Sequence, residues 1–168
     1  VGLKGAYAGV SDNWILLAGG SNFPIPRNQG GGKAFADRVY LRPLHPVDAP
    51  WQTLTETLPI GKAEGASVTL PEGVVFIGGQ SAQGPLDEVT LYSWDSKVGH
   101  LHHRPLARLP KAVANCAAVV WDGSIFVAGG EHQGVSQRHL WMLPNLESPH
   151  WQELPAWPGP SRFGATLL

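Results

Sequence analysis

Two sets of polar residues recur at fixed places in this sequence, and they are the residues whose chemistry could matter. One set follows a repeated glycine pair: Ser21 with Asn22, then Gln80, then Glu131. The other stands shortly before a run of small apolar residues: Lys4, Glu64, Asn115 and Arg162. Carboxylates so placed can move protons, Arg and Lys can hold an anion, and amides can bond hydroxyl groups. Arg27 sits in a long polar insert and could fold over such a site. Each residue also has a plainer reading. Glu64 reads more readily as a turn-facing carboxylate with no partner, Asn22 as a turn former, Arg162 as one half of a structural ion pair or an exposed end, and Glu131 as a lining group that moves no proton. His100, His102 and His103 form a cluster on an expected outer strand or loop. There a solvated surface is favoured over a ligand set, and no metal-ligand spacing is present. Cys116 is the single cysteine, so no internal disulfide forms. It reads as a small buried hydrophobe rather than a nucleophile.

The elements that must carry these residues are repeats. Three apolar runs each end in a glycine pair, at Gly19-Gly20, Gly78-Gly79 and Gly129-Gly130, with intervals of 59 and 51 residues. Kelch repeats recur about every 50 residues. A small-residue strand and a turn precede each run, with Ser11-Asp12-Asn13, Pro71-Glu72-Gly73 and Trp121-Asp122-Gly123 as the turns. Such a pair reads as a hairpin. Third strands are expected at Arg38 to Leu41, Glu88 to Tyr92 and Arg138 to Met142. Fourth strands begin at Trp51 and Trp151, with His103 replacing the tryptophan in the middle unit. Four strands per unit is propeller-blade architecture. The fold expected is therefore all-β, a kelch-type β-propeller with about three four-stranded blades of a six-bladed ring. The blades divide as residues 1–60, 61–110 and 111–160, with 161–168 as the first strand of a fourth. Trp14, Trp51, Trp121, Trp141 and Trp151 recur at repeat positions and are expected to pack between blades.

Composition agrees. Apolar residues are 43% and charged residues 15%, with 21 Gly and 15 Pro, which suits tight turns around a real core. A formal net charge of −1 gives no pull toward nucleic acid or an anionic membrane. No apolar run approaches the roughly 20 residues of a membrane-spanning helix. Three blades leave two open flanks, so either further blades or a second chain is expected to complete the ring.

The residues within the units go beyond generic kelch. Gly5 through Pro24, with its Ala18-Gly-Gly-Ser-Asn-Phe-Pro24 stretch, resembles the sialic acid mutarotase (N-acetylneuraminate epimerase) family. So do the insert Ile25 to Asp37 and the segment Gly61 to Gln80. In the common arrangement of that family these two blades resemble the last two of six; here they stand first, which resembles its circularly permuted branch. The third unit matches only as kelch. The resemblance implies an isomerase that interconverts the α and β anomers of N-acetylneuraminic acid, a small sugar acid, with no cofactor. It implies a periplasmic setting, with the cytoplasm as the alternative. Catalysis in the family is attributed to a glutamate after a glycine turn and a nearby arginine. Glu131 holds the glutamate's place; Arg138 lies near the arginine's place but two residues out of register, where a surface strand residue is the competing reading. Asn22, Arg27, Glu64, Gln80, Asn115 and Arg162 are the substrate-binding candidates. The contrasting reading is a non-enzymatic kelch propeller that binds protein or carbohydrate.

Overall fold

The computed structural model describes residues 2–167. Three four-stranded antiparallel sheets follow one another along the chain. From inner to outer strand, the first holds Tyr7–Ser11, Trp14–Ala18, Arg38–Pro43 and Gln52–Thr57. The second holds Ala66–Leu70, Gly73–Ile77, Val89–Asp95 and His100–Pro105. The third holds Ala117–Trp121, Ser124–Ala128, Leu140–Leu143 and Gln152–Leu154. These are blades of a partial β-propeller. Leu41↔Gln52, Leu91↔Arg104 and Met142↔Gln152 are equivalent pairs, so Trp51, His103 and Trp151 fall at one position of the repeat.

Burial follows from stacking. Every residue of the second strand of blade two, Gly73–Ile77, is buried. Side chains alternate across a strand, so this strand feeds two cores at once. Val74 and Phe76 pack with Tyr7, Leu16, Leu41 and Trp94 toward blade one. Val75 and Ile77 pack with Ile125, Val127, Trp141 and Leu143 toward blade three. The equivalent strands of blades one and three alternate between buried and half-buried residues, as expected of sheets covered on one face.

The tryptophans divide by the same logic. Trp141 and Trp151 are buried in the core between blades two and three, and Trp14 tilts against Trp94 at 5.8 Å. Trp51 and Trp121 do not pack between blades: they are 50% and 73% exposed. Trp121 ends the inner strand of blade three, opposite Ser124 at the hairpin turn, with its side chain turned to solvent.

Each blade is tied to its predecessor through the segment before its inner strand. Lys62 N–H donates to the Ala36 carbonyl while Gly20 N–H donates to the Lys62 carbonyl. Val113 and Arg162 repeat both bonds, with Leu86 and Gly79, then with Gln137 and Gly130. Ser161 to Leu167 thus dock on blade three as blade three's own lead-in docks on blade two. Among the described residues this segment forms no strand, so the strand expected over 161–168 is not seen there. Leu168 lies outside the described residues.

Candidate functional site

A backbone relay runs across the blades two residues after this tie. Glu64 N–H donates to Gly5 O (2.7 Å), Asn115 N–H to Glu64 O (2.5 Å) and Gly164 N–H to Asn115 O (2.8 Å). All four residues have left-handed backbones, with φ of 67°, 62°, 53° and 62° in chain order. Glycine adopts this conformation freely and asparagine readily, whereas other side chains lose roughly 1–2 kcal/mol. Two of the four positions carry glycine. Glu64 alone of the four bears that cost in backbone strain, and residues so held cluster at functional sites.

That side chain is only 7% exposed. Its Oε2 accepts a hydrogen bond from Lys33 Nζ at 2.6 Å, and its Oε1 lies 3.9 Å from Lys4 Nζ. One blade further on, Asn115 Nδ2 donates to Glu131 Oε1 at 3.0 Å. Glu131 is half-buried and opens the short strand Glu131–His132, which pairs with Val135–Ser136; its backbone bridges Ala114. Gln80 holds the same position in blade two, bridging Ala63 and Pro85. The structure thus brings Glu64, Asn115, Glu131 and Gln80 to successive lead-in and glycine-pair positions on one side of the blades.

Asn22 and Arg27 belong to the insert of blade one. Asn22 pairs with Ala34 in a two-stranded ribbon, and Arg27 begins the 3₁₀ turn Arg27–Gln29 with its guanidinium 5.0 Å from the Phe23 ring centre. Both line a cleft of about 470 Å³ with Lys4, Lys33 and Glu64.

Two expected residues fall elsewhere. Arg162 shares the position of Lys62 and Val113, not that of Glu64, and lines an apolar hollow on the open flank of blade three with Leu140 and Trp157. Arg138 is not in line with Arg38 and Glu88. Gly129 N–H bonds His139 O as Gly19 bonds Arg38 and Gly78 bonds Glu88, so His139 holds that position. Arg138 precedes the strand, is exposed, and lines a groove beside the outer strand with Lys111 and Glu153. Among the described residues no hydrogen bond or ion pair joins it to Glu131.

Lys33 is the participant that sequence reasoning missed. Nothing in its spacing pairs it with a carboxylate 31 residues away; only the folding of the insert does. The three histidines lie along the outer strand of blade two, His100 within 3.3 Å of Glu56. Burial pushes the Cys116 thiol up to about 11, which keeps it protonated and unreactive.

No family model matches the chain. Among solved structures, the "Structure of YjhT" superposes with a TM-score of 0.73, covering 95% of this chain and 54% of that one at 14% identity. This likeness establishes the fold, a partial β-propeller. Among curated proteins, the N-acetylneuraminate epimerase of Brucella suis is 34% identical over 102 residues, or 57% of this chain and 26% of that protein. The N-acetylneuraminate epimerase of Yersinia enterocolitica is 35% identical over 108 residues, or 60% of this chain and 27% of that protein. Curated relatives of the resembled family's name thus match the chain. The chain spans about a quarter of the length of those relatives.

Proposed function

We propose that these blades form part of a kelch-type, six-bladed sialic acid mutarotase in the circularly permuted order, and that their mouth lines its substrate channel. The observation that carries this reading is the name shared by the curated relatives, which match over some 60% of the chain. The coverage of YjhT agrees: three blades account for 54% of that chain. In a ring so completed, ligands bind where the lead-in segments and glycine pairs meet the central channel, which is where Glu64, Gln80, Asn115 and Glu131 stand.

The reaction needs a proton removed from the anomeric hydroxyl and a proton delivered to the ring oxygen as the bond between that oxygen and the anomeric carbon breaks. The open-chain ketone then rotates and recloses on the other face, with both proton transfers reversed. Glu131, oriented by Asn115, is suited to the proton transfer, while Gln80 and Asn22 are suited to bond hydroxyl and amide groups. Glu64 is suited to a substrate contact and is locked in place by Lys33. Arg138 and Arg162 take no part in this arrangement.

Proton NMR of freshly dissolved N-acetylneuraminic acid tests the reading. The ring-closed protein should speed anomer equilibration, and Glu131→Gln should slow it by about 10²-fold or more, the usual contribution of a positioned acid or base. Equilibration at the buffer rate with the intact ring refutes the proposal and leaves a binding propeller.

A further inference from the structure

The cleft under the blade-one insert carries a charge pattern that the proton-transfer chemistry does not require. Its lining includes three cations, Lys4, Arg27 and Lys33, against one carboxylate, Glu64, on a chain whose formal net charge is −1. The arrangement within the cleft is asymmetric. Glu64 is almost fully buried and its charge is answered by Lys33 at 2.6 Å, itself only 27% exposed. Lys33 is held from a second side by the Phe35 ring, whose centre is 5.2 Å away. That leaves Lys4, 83% exposed and 3.9 Å from Glu64, and the exposed Arg27 fork as the outward charges.

The insert is built to hold these groups still. Gln29 and Gly31 N–H groups both donate to Pro26 O, and Gly30 donates to Arg27 O, so the loop closes on itself. A Cβ at Gly31 would fall inside the Ile25 carbonyl, so no other residue permits that closure. The ribbon Ser21–Asn22 with Ala34–Phe35 then anchors both ends of the loop. Leu3 and Phe23 supply an apolar wall, Asn22 an amide, and the volume of about 470 Å³ suits a monosaccharide.

We infer that this cleft is the specificity site for the carboxylate of a sugar acid, with the Arg27 fork and Lys4 receiving it and Lys33 acting as the positioning residue that neutralises Glu64. Without Lys33, the bare Glu64 carboxylate would repel an incoming anion; with it, the cleft remains cationic and Glu64 is free to accept from a neighbouring hydroxyl. A single carboxylate fits this better than a phosphate dianion, which would crowd Glu64. The inference rests on the mutarotase reading for the identity of the sugar, but not for its chemistry.

The test compares N-acetylneuraminic acid with its methyl ester, the same sugar without the charge, by ligand-observed NMR titration. The acid should bind about tenfold tighter than the ester, the worth of one charge-assisted contact. Arg27→Gln and Lys33→Gln should bring that ratio close to one, while Lys33→Arg restores it. Circular dichroism on each variant shows whether the sheets are intact, and raising the salt concentration should weaken only the acid. Equal affinities for acid and ester, no binding of either, or a ratio that survives both Gln variants would overturn the inference. Acid-selective binding without faster anomer equilibration would instead retain this site and discard the mutarotase reading.

Discussion

Tyr7→Phe is expected to destabilise the protein through one oxygen atom. Tyr7 is 1% exposed and stacks on Phe76 with ring centres 4.6 Å apart. Its hydroxyl donates to the Gly78 carbonyl at 2.6 Å, crossing from blade one to the glycine pair of blade two. Burial holds the phenol pKa far above its ordinary value, so the donor stays protonated at any working pH. The space around the oxygen is set by glycines: a Cβ at Gly65 would lie 2.4 Å from it. Phenylalanine keeps the ring and its stacking, so the loss isolates the hydrogen bond. A neutral bond contributes about 1 kcal/mol, and a buried carbonyl left without a partner costs about 1–3 kcal/mol. The expected loss is about 2 kcal/mol, which for a chain of this size lowers Tm by about 4–8 °C. Urea unfolding should show a lower midpoint at unchanged slope. Tyr40→Phe is the control, since the Tyr40 hydroxyl makes no hydrogen bond among the described residues. If Tyr7→Phe shifts stability by less than about 0.5 kcal/mol, the bond between blades is not a determinant of the seam and the reasoning fails.

Three further outcomes follow from buried groups. Lys62 is 2% exposed at a position where blade three has Val113; desolvation pushes its pKa down, with Glu88 at 3.5 Å partly offsetting it. The unfolded chain then binds the Lys62 proton more tightly, so stability should rise with pH in the alkaline window below the unfolded lysine value. Lys62→Met should remove that rise, read by denaturant titration at neutral and alkaline pH. His139 stacks on Trp141 at 3.5 Å with Nε2 buried and unpartnered; burial, then Lys111, lowers its pKa from 6.5 to about 4. The folded state binds fewer protons between those values, so stability should fall as pH drops from 6.5 toward 4, and His139→Phe should flatten that slope in melting experiments. Cys116 should resist a thiol reagent at pH 8 while folded and react fully once urea unfolds the chain; fast native labelling would contradict its burial.

Much of the fold was legible because a propeller is a local object repeated. Each blade is a run of antiparallel neighbours joined by short turns, so the glycine pairs at 19, 78 and 129 and the alternation around them carry most of its pattern. Even the substitution of His103 at a tryptophan position proved correct in register. The tryptophans were less legible, since Trp51 and Trp121 share repeat positions but not burial. Recurrence marks a place in the blade, and burial depends on whether another blade covers it.

The candidate site was legible as positions rather than as contacts. Glu64 and Asn115 were correctly placed before the inner strands, but Arg162 was aligned two residues away from its true equivalents, Lys62 and Val113, and Arg138 one residue away from His139's place. Backbone hydrogen bonds between blades set those registers, and they leave no trace in side-chain type. The sequence by itself determined the four strands of each blade, their order and the polar positions beside the glycine pairs, because these depend on spacing and on turn residues. Only the tertiary structure decided that Lys33 returns across the insert to Glu64, that Glu64 bears a left-handed backbone, and that Arg138 faces away. Those outcomes depend on where one blade lies against the next, a through-space relation that a one-dimensional pattern does not encode.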